Sequence, residues 1–282
     1  MLIDTHPIIS ILLLSTLASL GTGLGGLIAI IRRPGHRSYG LLMGITAGVM
    51  ISLSFLELVN QAWELAGAFT ATVGFGIGAT FMFLLDSFAP HIRFGEKEVR
   101  SKEETVLQHQ PHNRFWGRNR FSGRLRRQDR PLDLKLVNTG LLLAVGITLH
   151  NLPEGIAVGA GYLHSPQFGL FVAFAILLHN IPEGIATALP LCKGGVSRWD
   201  AFKVALLSGL AEPVGALIAS VFLVSFGNLV PGALAFAGGV MVFITLDELI
   251  PTAREYGHQH YTSIGIILGA IFVFILSGIF GV

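Results

Sequence analysis

Residues 149–159 read LHNLPEGIAVG and residues 178–188 read LHNIPEGIATA, so histidine, asparagine, proline and glutamate recur in one order within otherwise apolar sequence. On a helix turning about 100° per residue, Glu154 stands about 40° around from His150 and one turn along, with Asn151 about 60° away on its other flank. The Glu154 carboxylate can therefore offer one oxygen to a cation on the imidazole side and the other to a cation on the amide side. Glu183 repeats this arrangement between His179 and Asn180. Two neighbouring ions bridged by Glu154 and Glu183 follow from that spacing. Glu212, in SGLAEPVGA, adds a third carboxylate. Pro153, Pro182 and Pro213 have no N–H to give to the carbonyls of Leu149, Leu178 and Gly209, which leaves those oxygens as spare ligands or water anchors on kinked helices.

The elements that position these groups are membrane spans. Of 282 residues 52% are hydrophobic and 13% charged, and the mean hydropathy is +0.66. That is the profile of a polytopic membrane protein. A bilayer core about 30 Å thick needs roughly 20 apolar residues per helical crossing. Eight such segments are expected near 8–31, 39–60, 67–89, 136–160, 166–190, 202–225, 231–253 and 262–281, the first read as a retained span. His150, Glu154, His179, Glu183 and Glu212 then lie inside spans 4, 5 and 6. An ionisable group at the bilayer centre costs on the order of 2.5–3.5 kcal/mol. The central portions of those spans hold no Lys or Arg. A bound cation is the simplest counter-charge for the carboxylates. The short turn near 161–166 makes spans 4 and 5 antiparallel and brings His150 and His179 to comparable depth.

The 19 Lys and Arg residues fall within 32–37, 93–135 and 193–203 and at Arg254. Under the positive-inside rule these loops face the cytoplasm. They follow spans 1, 3, 5 and 7, so both termini are expected outside. Four blocks result: spans 1–3 (1–90), a basic, histidine-containing cytoplasmic loop (91–135), spans 4 and 5 with the doubled motif (136–190), and spans 6–8 (191–282). The loop reads first as a solvated linker with its basic residues near anionic headgroups, and weak metal binding by His109 and His112, three apart, is the alternative. Cys192 is the single cysteine, so neither an intramolecular disulfide nor a thiolate cluster is available. No Walker-type loop and no HExxH occur, and the basic residues carry no nucleic-acid-binding fold signal; nucleotide-driven, zincin and nucleic-acid-binding classes are excluded.

HNLPEG on span 4, HNIPEG on span 5 and AEPVGA on span 6 resemble the ZIP (ZRT/IRT-like) family of divalent-metal transporters, in particular its bacterial ZupT/GufA-type branch. The resemblance extends over the eight spans, the outside termini and the variable loop after span 3. It implies an all-α membrane protein with spans 1–3 and 6–8 as inverted repeats around spans 4 and 5, arranged as a homodimer in the bacterial inner membrane. It also implies a binuclear site. His150, Glu154, His179 and Glu183 would hold one metal; Asn151, Asn180 and Glu212, with the bridging glutamates, would hold the other. Met50 matches a position beside the first metal in some members. Asn180 and Gly184 depart from many eukaryotic members, which carry a second histidine and a further acid around the span 5 motif, so strict zinc preference is not carried over. Span 8 has no acidic residue and supplies no outer carboxylate gate.

Asp247, Glu248, Glu255, His258 and His260 follow span 7 as candidate exit ligands, while Glu57, Glu64 and His164 stand near the outer face and Asp86 near the inner end of span 3. The expected activity is uptake of divalent cations into the cytoplasm, with no enzymatic reaction and no catalytic cofactor. Mixed imidazole and carboxylate ligands suit Zn(II), Fe(II), Mn(II), Co(II) and Cd(II), whereas the absence of thiolates disfavours Cu(I). Two alternatives stay open on sequence: an intramembrane metal-dependent hydrolase with a glutamate base, and a scaffold with a closed structural zinc site.

Overall fold

The computed structural model describes residues 7–31, 34–88, 132–256 and 258–282. Among them every regular element is helical. Helix α1 is Pro7–Ile31 and α2 is His36–Ser52. From α2 the chain passes through a π-helical stretch, Leu53–Val59, directly into α3, Asn60–Phe88. Next come α4, Leu134–His164, and α5, Pro166–Lys193. Helices α6, Arg198–Gly209, and α7, Ala211–Ser225, are consecutive. After α8, Val230–Ile244, a second π-helical stretch, Thr245–Leu249, leads into α9, Ile250–Tyr256. Helix α10 is Gln259–Phe280. The expected loop, with His109 and His112, lies mostly outside the described residues.

Among the described residues seven helical segments are long and apolar enough to cross a membrane: Pro7–Ile31, Arg37–Ser87, Leu134–His164, Pro166–Lys193, Arg198–Ser225, Gly227–Glu255 and Gln259–Phe280. Their outward faces are apolar, with Leu13 66% and Phe69 81% exposed. Polar groups gather inside instead. A surface of this kind belongs in lipid, and the chain is an integral membrane protein. Expected spans 2 and 3 form one helical run here. It is interrupted at Gly67, whose φ of 78° and ψ of 170° are open to glycine but strained for other residues.

Local chemistry explains the hairpin that carries the doubled motif. Ser165 donates its own N–H to the carbonyl of Gly161, closing α4. Its hydroxyl accepts from the N–H of Phe168, and Pro166 opens the next helix, so one residue ends α4 and begins α5. The kinks expected at Pro153 and Pro182 do not interrupt their helices, because each costs one backbone bond within a long, tightly packed run. Pro213 behaves differently. The helix breaks at Leu210, three residues before it, and span 6 is divided into α6 and α7.

Glycines set the helix spacing. A Cβ on Gly184 of α5 would sit 1.9 Å from the carbonyl oxygen of Thr22 on α1, and one on Gly25 would sit 1.9 Å from that of Ile181. Helices α4 and α7 meet in the same way: a Cβ on Gly155 would lie 2.0 Å from Glu212 O, and one on Gly215 would lie 2.1 Å from Leu152 O. Comparable approaches join α2 to α10 through Gly48 and Gly269, and α3 to α8 through Gly78 and Gly239. Such contact distances exclude any larger residue and are characteristic of helix pairs in lipid.

Candidate metal centre

Helices α4 and α5 bring their motif residues to a common interior. Asn151, Asn180 and Glu212 are completely buried, and His150, Glu154, His179 and Glu183 nearly so. One ligand atom from each of Glu154, His179 and Glu183 lies within 4.8 Å of the others. His179 Nε2 is 3.1 Å from Glu154 Oε1. His150 is placed differently: its Nε2 is 3.2 Å from Oε2 of Glu248, which reaches in from the π-helical stretch after α8.

The asparagines are oriented by their own amides. Asn151 Nδ2 donates to the carbonyl of Ser208 at 2.9 Å. Asn180 Nδ2 donates to Ala18 O at 3.2 Å and to Glu212 Oε2 at 2.9 Å. Both amide oxygens are thereby turned away from those partners. Oδ1 of Asn151, Oδ1 of Asn180, Oε2 of Glu154, Oε2 of Glu183 and Oε1 of Glu212 are buried without a hydrogen-bond partner. Buried oxygens left unpaired are costly and need an external partner. All the described Lys and Arg residues are exposed, so none of them is that partner. The donor set combines imidazole nitrogen with carboxylate and amide oxygens, and it suits a divalent transition metal.

The remaining candidates are more scattered. Met50 is fully buried on α2, and its sulfur accepts from the Thr245 hydroxyl at 3.7 Å. Asp247 and Glu248 are partly buried. His258 and His260 are exposed at the start of α10, their ring centroids 5.7 Å apart. Glu255 is exposed too, and Glu57 is partly buried. Sequence reasoning missed the supporting carbonyls of Ala18 and Ser208, because a backbone acceptor has no residue signature. It also missed Thr46, whose hydroxyl approaches the His179 carbonyl at 3.3 Å.

A helical membrane protein with a carboxylate- and imidazole-lined polar interior is the class these observations define. The ZIP Zinc transporter family model matches residues 69–277. The zinc transporter ZupT of Akkermansia muciniphila is 39% identical, over 97% of this chain and 98% of that protein. ZupT of Chlorobium phaeovibrioides is also 39% identical, over 94% and 95% respectively. The zinc transporter ZTP29 of Arabidopsis thaliana is 39% identical over 87% of this chain and 85% of its own length. The chain belongs to the ZIP zinc transporter family.

Proposed function

We propose that this protein carries divalent transition-metal cations, zinc foremost and Fe(II), Mn(II), Co(II) and Cd(II) as further cargo, from outside into the cytoplasm through a binuclear intramembrane site. His150, His179, Glu154 and Glu183 hold one ion. Asn151, Asn180 and Glu212 hold the second, with both glutamates bridging. The observation that carries this reading is the set of unpartnered buried oxygens on the residues flanking His179 and His150, with no basic side chain among the described residues to neutralise the carboxylates.

The chain crosses the membrane eight times in this reading, with both termini outside. The 51-residue segment Arg37–Ser87 is far longer than one crossing requires, and Gly67 separates its two halves. Helices α1, α2 and α3 are related to the α6–α7 pair, α8 and α10 as inverted repeats around α4 and α5. The contact of α1 with α5 repeats that of α7 with α4, and the contact of α2 with α10 repeats that of α8 with α3. Rocking of these units exposes the site alternately. Glu248, beside His150, receives the ion on the cytoplasmic side, and Asp247, His258 and His260 continue the path. The 91–135 loop is cytoplasmic, and the protein works as a homodimer in a bacterial inner membrane.

Vesicles containing only this protein should accumulate zinc down a concentration gradient, with empty vesicles as the control. Metal binding without accumulation would overturn the carrier reading and favour a structural or hydrolytic metal site.

A further inference from the structure

The geometry points to Thr22, on α1, as the sixth oxygen ligand of the second ion and the residue that sets that ion's coordination number. The inference rests on the two-ion reading above. Thr22 stands in GTGLGGLIAI, a stretch that reads as helix packing. Its side chain is completely buried, yet its hydroxyl has no hydrogen-bond partner.

Other buried threonines in these helices satisfy themselves on the carbonyl one turn back. Thr187 bonds Glu183 O at 3.1 Å and Thr245 bonds Met241 O at 2.7 Å. The carbonyl one turn behind Thr22 is that of Ala18, and it accepts instead from the Asn180 amide. The Thr22 hydroxyl is thus left without a partner, one turn along α1 from the carbonyl that Asn180 holds. It also faces α6, where a Cβ on Gly209, one turn before Glu212, would come within 3.2 Å of Oγ1.

The local two-fold relation says what this hydroxyl is for. Gly184 packs on the Thr22 carbonyl as Gly155 packs on the Glu212 carbonyl. Asn180 donates to Ala18 O as Asn151 donates to Ser208 O. Under that relation His150 exchanges with His179, Asn151 with Asn180, Glu154 with Glu183, and Glu212 with Thr22. Thr22 therefore stands to Glu183 as Glu212 stands to Glu154. Of these four exchanged pairs only the last is chemically unlike, a carboxylate against a neutral hydroxyl.

Apart from Tyr162 Oη, which sits in a separate apolar cluster with Ile11 and Ala216, the described unpartnered buried oxygens are one each on Thr22, Asn151, Asn180, Glu154, Glu183 and Glu212, six in all. Six oxygens suit the octahedral preference of Mn(II) and similar hard ions, whereas Zn(II) favours four ligands including nitrogen. The two halves of the site consequently differ in the ion they prefer. A neutral hydroxyl at the sixth position completes the shell without adding a fourth carboxylate.

The test is a Mn(II) and Zn(II) titration of the purified full-length protein in lipid nanodiscs, read as ions bound per chain and as affinity. Wild type should bind two ions. Thr22→Val, which keeps the shape and removes the oxygen, should weaken the second Mn(II) on the order of 10-fold or more and leave the first Zn(II) unchanged. Thr22→Ser should restore Mn(II) binding. Unchanged Mn(II) affinity in Thr22→Val overturns the assignment, and so does a Thr22→Ser protein as weak as Thr22→Val, since the methyl group would then be what matters. Should Thr22→Val not fold, Thr22→Asp decides: it should tighten the second Mn(II), and equal or weaker binding overturns the proposal. A wild-type protein that binds one ion only removes the two-ion reading itself, a result distinct from any difference between variants.

Discussion

The two motif copies are nearly identical in sequence, yet their histidines have different surroundings. His179, on α5, lies 3.1 Å from Glu154 and shares a cluster with Glu154 and Glu183. His150, on α4, lies 3.2 Å from Glu248, whose side chain is 24% exposed. Helical periodicity places both imidazoles on equivalent faces. What differs is the neighbour each face meets: the π-helical stretch after α8 delivers an acid to His150, whereas Thr46 of α2 approaches only the backbone carbonyl of His179. The doubled motif therefore places one imidazole against a fully buried carboxylate and the other against a partly exposed one.

The most damaging way to test this comparison is to remove what the two halves share. Glu154→Ala or Glu183→Ala takes a ligand from both proposed ions and leaves buried groups unpaired, so uptake should fall on the order of 100-fold, to background, in vesicles holding normal amounts of protein. Near-normal uptake by both variants would sink the shared-bridge geometry.

The comparison sharpens with the histidines themselves. His179→Ala should reduce uptake more than His150→Ala, because Glu248 can supply an oxygen where the His150 imidazole is missing, whereas the acid beside His179 is Glu154, already used as a proposed bridging ligand. A loss on the order of 10-fold is expected for His150→Ala and a larger one for His179→Ala. The reverse order in initial uptake rates would show that the His179 side is not the more demanding one.

Glu212→Gln acts on the amide side alone. Bound metal should drop from about two ions per chain toward one, with uptake lowered several-fold but retained, by the ligand count for each ion. Elemental analysis after equilibrium dialysis checks this. Metal content and uptake responding identically in Glu212→Gln and His150→Ala would replace two ions with a single shared site.

The smallest effect belongs to Glu248→Gln, which keeps an oxygen near His150 and removes its charge. Uptake should fall about two- to fivefold, roughly the scale of one exposed charge interaction. The effect should be larger in a His150→Ala background, since Glu248 is then the group that stands in for the imidazole and the two are coupled. Additive losses in the double variant would separate Glu248 from His150.

Much of this was legible in sequence, and the reason is locality. The spacing of His150, Asn151 and Glu154 dictates a shared helix face whatever surrounds it, and the Ser165–Pro166 turn dictates the hairpin. The lengths of the apolar runs require helices, although the run through Gly67 and the break at Leu210 were not evident, because hydropathy is blind to whether adjacent helical segments share one axis. The π-helical stretches at 53–59 and 245–249 were equally hidden.

By itself the sequence determined that the chain is a membrane protein, that its apolar spans carry three carboxylates and two imidazoles, and that both copies of the motif present the same side chains on one helix face. Those properties follow from hydropathy and helical period, which act over a few residues. Only the tertiary structure decided that Glu248 meets His150, that Asn180 links Ala18 to Glu212, and that Thr22 loses its own carbonyl to an asparagine 158 residues away. Those partners lie on helices remote in sequence, and which side chains meet depends on how closely glycines let the backbones approach.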